Sequence, residues 1–71
     1  MSQGARDIIA RNIKKCRLQA NLTREELSLA LGVDNSYISK LEKARINITI
    51  DRLEQLAEYF KLDVYLLLKN D

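Results

Sequence analysis

One pattern occurs four times in this 71-residue chain and favours a series of short helices. In each case an apolar residue precedes a helix-capping residue, and a second apolar residue follows four positions after the cap. The four sets are Leu22/Thr23/Leu27, Val33/Asp34/Ile38, Ile48/Thr49/Leu53 and Leu62/Asp63/Leu67. Each set is a hydrophobic staple around an N-cap, and Glu26 completes a capping box with Thr23. The pattern therefore predicts four helix starts.

A further helix precedes these four. From about Arg6 to Ala20 the apolar residues Ile9, Ile13, Cys16 and Ala20 recur at helical spacing, and Asn21 suits the left-handed position that ends a helix. The chain has no proline and only two glycines, which also favours helices. We predict an all-α fold, a compact five-helix bundle that forms a single domain over residues 1–71. The expected helices span about 6–20, 24–31, 35–43, 50–60 and 64–69, after a flexible tail at residues 1–5.

The composition indicates an intracellular protein. Cys16 is the only cysteine and cannot form an internal disulfide, whereas secreted domains of this size usually contain several. No run of about 18 apolar residues is present, and the N-terminus lacks the apolar core of a signal peptide. We expect a cytoplasmic protein in which Cys16 is a small buried residue without a redox role.

The sequence offers no constellation for catalysis or metal binding. It contains no histidine, no cysteine pair and no glycine-rich phosphate loop, and its acidic residues are scattered. The adjacent Glu25 and Glu26 are typical of a helix N-terminus and not of an acid/base pair. We therefore expect a protein that is not an enzyme and that needs no cofactor or metal.

The charge is distributed unevenly, although the net charge is only +2. Residues 1–45 hold nine basic and five acidic side chains, whereas residues 46–71 hold three basic and five acidic ones. This asymmetry fits a chain whose first part faces an anion, and it also fits an ordinary solvated helical surface.

The second and third helices form a unit of their own. Gly32 falls between them, where a tight turn requires positive φ, and the small Ser28 allows close approach of the two helices. Their expected apolar residues are Leu27, Ala30, Leu31, Val33, Ile38 and Leu41. A short helix, a glycine-containing turn and a second short helix make up the helix-turn-helix pattern. In DNA-binding examples the second helix enters the major groove.

The outward face of the third helix carries hydrogen-bonding groups and a single charge. Asparagine pairs with adenine, lysine donates to guanine O6 and N7, and serine bonds to either base. A tyrosine on the flank can pack on a thymine methyl group or bond to a phosphate. We expect DNA base contacts from Asn35, Ser36, Tyr37, Ser39 and Lys40. The alternative is a short polar helix without a ligand.

Polar and basic residues flank this helix on both sides. We expect phosphate contacts from Thr23, Arg24, Lys43, Arg45 and Asn47, with help from helix N-termini. Taken singly, each charge among them is better explained as a solvated surface residue. Together, around a polar helix, they favour nucleic acid.

Residues 9–68 resemble the phage repressor and Cro-like helix-turn-helix regulators, often called XRE-type. The matching features are Arg17, Glu26-Leu27, Leu31-Gly32-Val33, Ile38-Ser39 and Glu42. The resemblance implies a lambda-repressor-like DNA-binding domain in which Arg17 and Glu42 form a partly buried ion pair. The run YISKLEKARINITI also resembles the controller proteins of restriction–modification systems, which are small stand-alone dimers.

Four positions depart from the usual pattern of this family. Arg24 stands where a DNA-contacting glutamine is common, which puts the inherited contact in doubt. Ser28, Ala44 and Ile48 stand where alanine, glycine and proline are frequent. Ala44 suggests an altered exit from the third helix.

The fifth helix is apolar on nearly all sides. Val64 and Leu67 can fill the core, which leaves Tyr65, Leu66 and Leu68 without an obvious cover. Exposed apolar patches usually mark contacts, so we expect a homodimer interface here. The alternative is a closing helix buried within one domain.

These features together predict a homodimeric transcriptional regulator that binds double-stranded DNA at a near-palindromic operator. The alternative from another class is an antitoxin-like module whose main task is to bind a partner protein. Salt-dependent binding to duplex DNA by the purified protein alone distinguishes the two.

Overall fold

The computed structural model describes residues 4–70, which contain five α-helices and no strand. The helices are α1 (Ala5–Gln19), α2 (Arg24–Leu31), α3 (Asn35–Glu42), α4 (Ile50–Tyr59) and α5 (Val64–Leu68). The predicted all-α, five-helix fold is confirmed. Of the predicted tail at 1–5, residues 1–3 lie outside the described residues; Gly4 caps α1 and Ala5 already belongs to that helix.

The first four helices end in the same way. A residue with positive φ follows the last turn: Asn21 (59°), Gly32 (71°), Ala44 (58°) and Lys61 (58°). After α1, the Asn21 N–H donates to the Leu18 carbonyl and the Leu22 N–H donates to the Arg17 carbonyl. The same pair of hydrogen bonds closes the other three helices, and together they form a Schellman motif at each end.

Three of these endings lead directly into the next helix. Leu22, Val33 and Leu62 each complete a Schellman motif and then serve as the apolar residue that precedes the next N-cap. All three side chains are half-buried and pack against the core. One apolar residue therefore ends one helix and begins the next, which keeps these turns short and fixes the angle between the helices locally.

The predicted N-cap positions are confirmed, but only the threonines cap through their side chains. The Thr23 hydroxyl accepts from the Glu26 N–H at 3.0 Å, and the Glu26 carboxylate accepts from the Thr23 N–H at 2.8 Å. Thr49 accepts from the N–H three residues on, at 3.1 Å. Asp34 and Asp63 make no such bond, so the expected capping by these two aspartates is wrong.

Side chains from all five helices meet in one core. Its buried members are Ile9, Ile13, Leu27, Leu31, Ile38, Leu41, Leu53, Leu56, Ala57 and Leu67. Helix α1 packs against α3 and α5, while α2 packs on α3 and α4 on α5. Ala20 and Ala30 are exposed, so their expected places in the core are wrong. Cys16 is only half-buried, on the edge of the core.

Polar side chains fasten the short α5 and the C-terminus of α2. The Asn12 amide of α1 donates to the Leu67 and Lys69 carbonyls at 2.8 and 2.9 Å, which satisfies the end of α5. Arg52 and Gln55 of α4 donate to the Leu31 carbonyl at 3.4 and 3.3 Å. The Arg52 guanidinium is a cation at the C-terminus of α2 and therefore also complements the dipole of that helix. Within residues 4–70, no helix is both long enough and apolar enough to span a membrane.

Candidate nucleic-acid interface

Helix α3 is held by its apolar side and presents its polar side. Ile38 and Leu41 are 0% and 1% exposed, so they fix the rotation of α3 about its axis. Ser28 of α2 is fully buried, with its hydroxyl 3.5 Å from the Asn35 carbonyl, which brings the two helices close together. On the other side of α3, Asn35 and Lys40 are exposed and Ser39 is half-exposed.

The other two expected base-contact residues are partly engaged within the protein. The Ser36 hydroxyl donates to the Asp34 carboxylate at 2.8 Å, which leaves its oxygen free to accept a hydrogen bond from a base amine. Tyr37 is half-buried and packs against the core, and the Arg52 guanidinium carbon lies 5.5 Å from the centre of its ring. Tyr37 therefore contributes to the α3–α4 contact as well as to the flank of α3.

Arg17 and Glu42 lie in direct contact, in the arrangement that the family resemblance implies. Arg17 Nε donates to Glu42 Oε2 at 2.7 Å and Nη2 donates to Oε1 at 3.2 Å. The two side chains are 7% and 4% exposed. Arg17 Nη1 also donates to the Leu22 carbonyl at 2.7 Å, so the guanidinium joins α1, the first turn and the end of α3. A buried pair of this kind fixes orientation more than it adds stability.

Arg24 uses the same carboxylate. Its Nε donates to Glu42 Oε1 at 3.3 Å, while its side chain stays 49% exposed. Arg24 lines a surface depression of ≈ 620 Å³ together with Thr23, Asn35 and Ser39. The structure thus brings two residues expected at phosphates and two expected at bases to the walls of one depression.

The remaining residues expected at phosphates lie around the end of α3. Lys43 and Arg45 are exposed in the turn that follows it. Asn47 is also exposed, and its side-chain carbonyl accepts from Arg6 Nη2 at 2.6 Å. Arg6 was not expected here. It stands 41 positions earlier in the chain and reaches this surface only because α1 packs beside α3, so no local pattern indicates it.

Ala44 occupies the position at which glycine is frequent in the family. We expected it to alter the exit from α3. Ala44 instead adopts φ 58°, the left-handed conformation that glycine favours, and completes the Schellman motif. The chain therefore leaves α3 through a left-handed residue, as it would with glycine, but the backbone at Ala44 is strained.

The depression beside α3 is lined by polar and charged side chains together with Leu18 and Leu22. Among residues 4–70, no three or more acidic, histidine or cysteine side chains come together as a metal site. The chemistry available at this surface is hydrogen bonding from amide, hydroxyl and cationic groups, which suits the edges of bases and phosphate oxygens.

Comparison with known proteins assigns the family. Residues 13–67 match the family described as Helix-turn-helix. The chain belongs to the helix-turn-helix family. A relative from Neisseria meningitidis serogroup B, described as a hypothetical transcription factor, is 32% identical over 66 residues. That match covers 93% of this chain and 62% of the relative, so the chain spans less than two thirds of that protein.

Solved structures of a transcription factor and of a controller protein have the same fold. The crystal structure of the hypothetical transcription factor NHTF from Neisseria superposes with a TM-score of 0.88 at 31% identity, over 94% of this chain and 77% of that one. The restriction–modification controller C.Esp1396I, solved as a tetramer in complex with its natural 35 base-pair operator, gives 0.76 at 26% identity, over 96% and 100%. The XRE-type resemblance expected from the sequence is confirmed.

Proposed function

We propose that this chain is a transcriptional regulator that binds double-stranded DNA as a homodimer, with α3 in the major groove. The observation that carries the proposal is the two-sided character of α3. Ile38 and Leu41 anchor one side in the core, and the other side presents Asn35, Ser39 and Lys40 beside the half-exposed Arg24. A helix kept only for solubility would carry charged pairs on that side.

Phosphates and bases have different partners in this proposal. Lys43 and Arg45 are exposed beyond the end of α3 and neutralise phosphates on one side of the groove. The Thr23 hydroxyl accepts a bond within its capping box and can still donate its proton to a phosphate on the other side. Asn47, held by Arg6, adds an amide donor. These contacts give affinity and register, while the α3 side chains give sequence preference.

Homodimerisation follows from the uncovered side of α5. Tyr65, Leu66 and Leu68 are 63%, 40% and 44% exposed, although Leu67 between them is fully buried. A second copy can cover this apolar patch with the same patch of its own, as a two-fold interface requires. Two α3 helices would then enter successive major grooves, about 34 Å apart, on a near-palindromic site in the cytoplasm. The controller C.Esp1396I, which has the same fold, is a tetramer on its operator.

Selection of binding sites tests the proposal. Purified protein is incubated with a pool of random duplex DNA, bound molecules are recovered, and affinity for the recovered site is measured at several salt concentrations. We expect a near-palindromic consensus and an affinity that falls steeply as salt rises. Recovery of no consensus, with no salt-dependent binding, would contradict DNA recognition and favour the alternative of a module that binds a partner protein.

A further inference from the structure

We propose that Arg24 reads a guanine in the major groove and that Glu42 is the positioning residue that aims it. This inference rests on the proposed function and assigns to Arg24 a part in sequence recognition beyond the phosphate contact expected from the sequence. The residue stands at a position where this chain departs from its family, so its role has to come from its own surroundings.

The Arg24 guanidinium is anchored on one edge and free on the other. Its Nε donates to Glu42 Oε1 at 3.3 Å, and the same carboxylate is held from the other side by Arg17 at 2.7 Å. The Glu42 side chain is 4% exposed, so the anchor itself is fixed within the protein. Within residues 4–70, the two terminal nitrogens of Arg24 have no hydrogen-bond acceptor.

The free edge lies beside side chains suited to reading bases. Arg24 lines the same depression as Asn35 and Ser39, whose polar groups face outward from α3. Glu25 lines it as well, and its negative charge disfavours a charged phosphate more than the uncharged edge of a base. A cation flanked by a carboxylate and by neutral polar groups is better placed for a base edge than for the sugar–phosphate backbone.

Guanine fits the free edge of Arg24 in its chemistry. It presents two acceptors, O6 and N7, in the major groove, and the terminal nitrogens of an arginine donate to both at once. Because Nε is already bonded to Glu42, the guanidinium plane is set before DNA arrives, which reduces the entropy lost on binding. A lysine supplies the same charge and can also donate to guanine O6 and N7, but it lacks the planar fork that Glu42 can hold in a fixed orientation.

The experiment compares Arg24→Lys and Arg24→Ala with the parent chain. Sites are selected from random duplex DNA, and affinities are measured for the consensus and for each single base-pair change. We expect Arg24→Ala to lose one guanine preference in each half-site, with discrimination there falling roughly 5- to 150-fold, and Arg24→Lys to keep a weaker preference for the same guanine. The salt dependence of Arg24→Lys should equal that of the parent, because its charge is retained.

Lys43→Ala is the matched control, since Lys43 is exposed and lies outside the depression. It should weaken binding to all sequences alike and keep the guanine preference. If Arg24→Ala weakens all sites equally and the guanine preference stays, Arg24 is a phosphate contact and the inference is wrong. If the parent chain itself selects no sequence, the proposed function fails, and this inference fails with it.

Discussion

Arg17 and Glu42 are joined by two hydrogen bonds, 2.7 and 3.2 Å long, across the interface between α1 and α3. Both side chains are almost completely buried, so without Glu42 the Arg17 guanidinium would be a buried charge with no counter-ion, and without Arg17 the Glu42 carboxylate would keep only the half-exposed Arg24. The pair lies at the C-terminal end of α3, and it therefore fixes how α3 is presented by the rest of the bundle.

Replacement of Arg17 by alanine should lower the free energy of unfolding by about 3–5 kcal/mol, because it leaves the Glu42 carboxylate buried with only Arg24 beside it. Arg24→Ala is the matched control: Arg24 pairs with the same carboxylate but is half-exposed, so its loss should cost at most about 1 kcal/mol. Urea unfolding followed by circular dichroism measures both. Equal losses for the two variants would show that burial of the Arg17 pair is unimportant.

Ala44→Gly should stabilise the protein by about 0.5–1 kcal/mol. Ala44 has φ 58°, where a Cβ atom destabilises the folded backbone by about 1–2 kcal/mol. Glycine removes this strain, but its greater backbone freedom in the unfolded chain offsets part of the stabilisation. Ala30→Gly is the control, since Ala30 is exposed inside α2 and its replacement should destabilise by about 0.5–1 kcal/mol. A loss of stability in both variants would contradict the strain assigned to Ala44.

The double substitution Leu66→Glu and Leu68→Glu should convert the proposed dimer into monomers, because it places charge on the exposed side of α5 and leaves the buried Leu67 unchanged. Leu29→Glu serves as the control. Leu29 is 80% exposed on α2, so charge there should not alter the molecular mass in solution. Sedimentation equilibrium distinguishes the outcomes. If the double variant remains a dimer, the interface lies on another surface.

The Cys16 thiol should react slowly in the folded protein. Partial burial raises its pKa above the ordinary value of a thiol, and the positive charge of Lys15 opposes this only in part. Since the thiolate is the reactive form, the iodoacetamide rate of the folded protein should rise at a higher pH than that of the protein unfolded in urea. The raised pKa also makes stability depend on pH. The protonated Cys16 thiol contributes fully to stability below the pKa that it has in the unfolded chain, and this contribution is lost as pH rises through the higher pKa of the folded protein. Coincident pH profiles for folded and unfolded protein would show that burial does not perturb Cys16.

The sequence predicted those parts of the fold that depend on neighbouring residues. Every predicted helix boundary lies within one residue of the observed boundary, because hydrophobic staples, N-caps and left-handed residues act over a few positions. Asp34 shows the limit of this local reasoning. It occupies an N-cap position, but its carboxylate accepts from the Ser36 hydroxyl and makes no cap bond.

Contacts between distant residues could not be predicted from the residues alone. The Arg6–Asn47 and Asn12–Leu67 hydrogen bonds join residues 41 and 55 positions apart. These hydrogen bonds depend on how the helices pack. The sequence pattern around Arg6 or Asn12 does not indicate which distant residue each side chain will meet. The Arg17–Glu42 pair was expected only through family resemblance, and the shared use of Glu42 by Arg24 was not expected at all.

The central claim is that the exposed side of α3 reads DNA sequence, and Lys40→Ala tests it most directly. Lys40 is exposed on that side, so its loss should leave the fold unchanged. The measurement is affinity at fixed salt for the selected site, for each single base-pair change and for random duplex. We predict a loss of about 1–3 kcal/mol on the selected site, with relaxed preference at one base position. An equal loss on the selected site and on random DNA would contradict the claim.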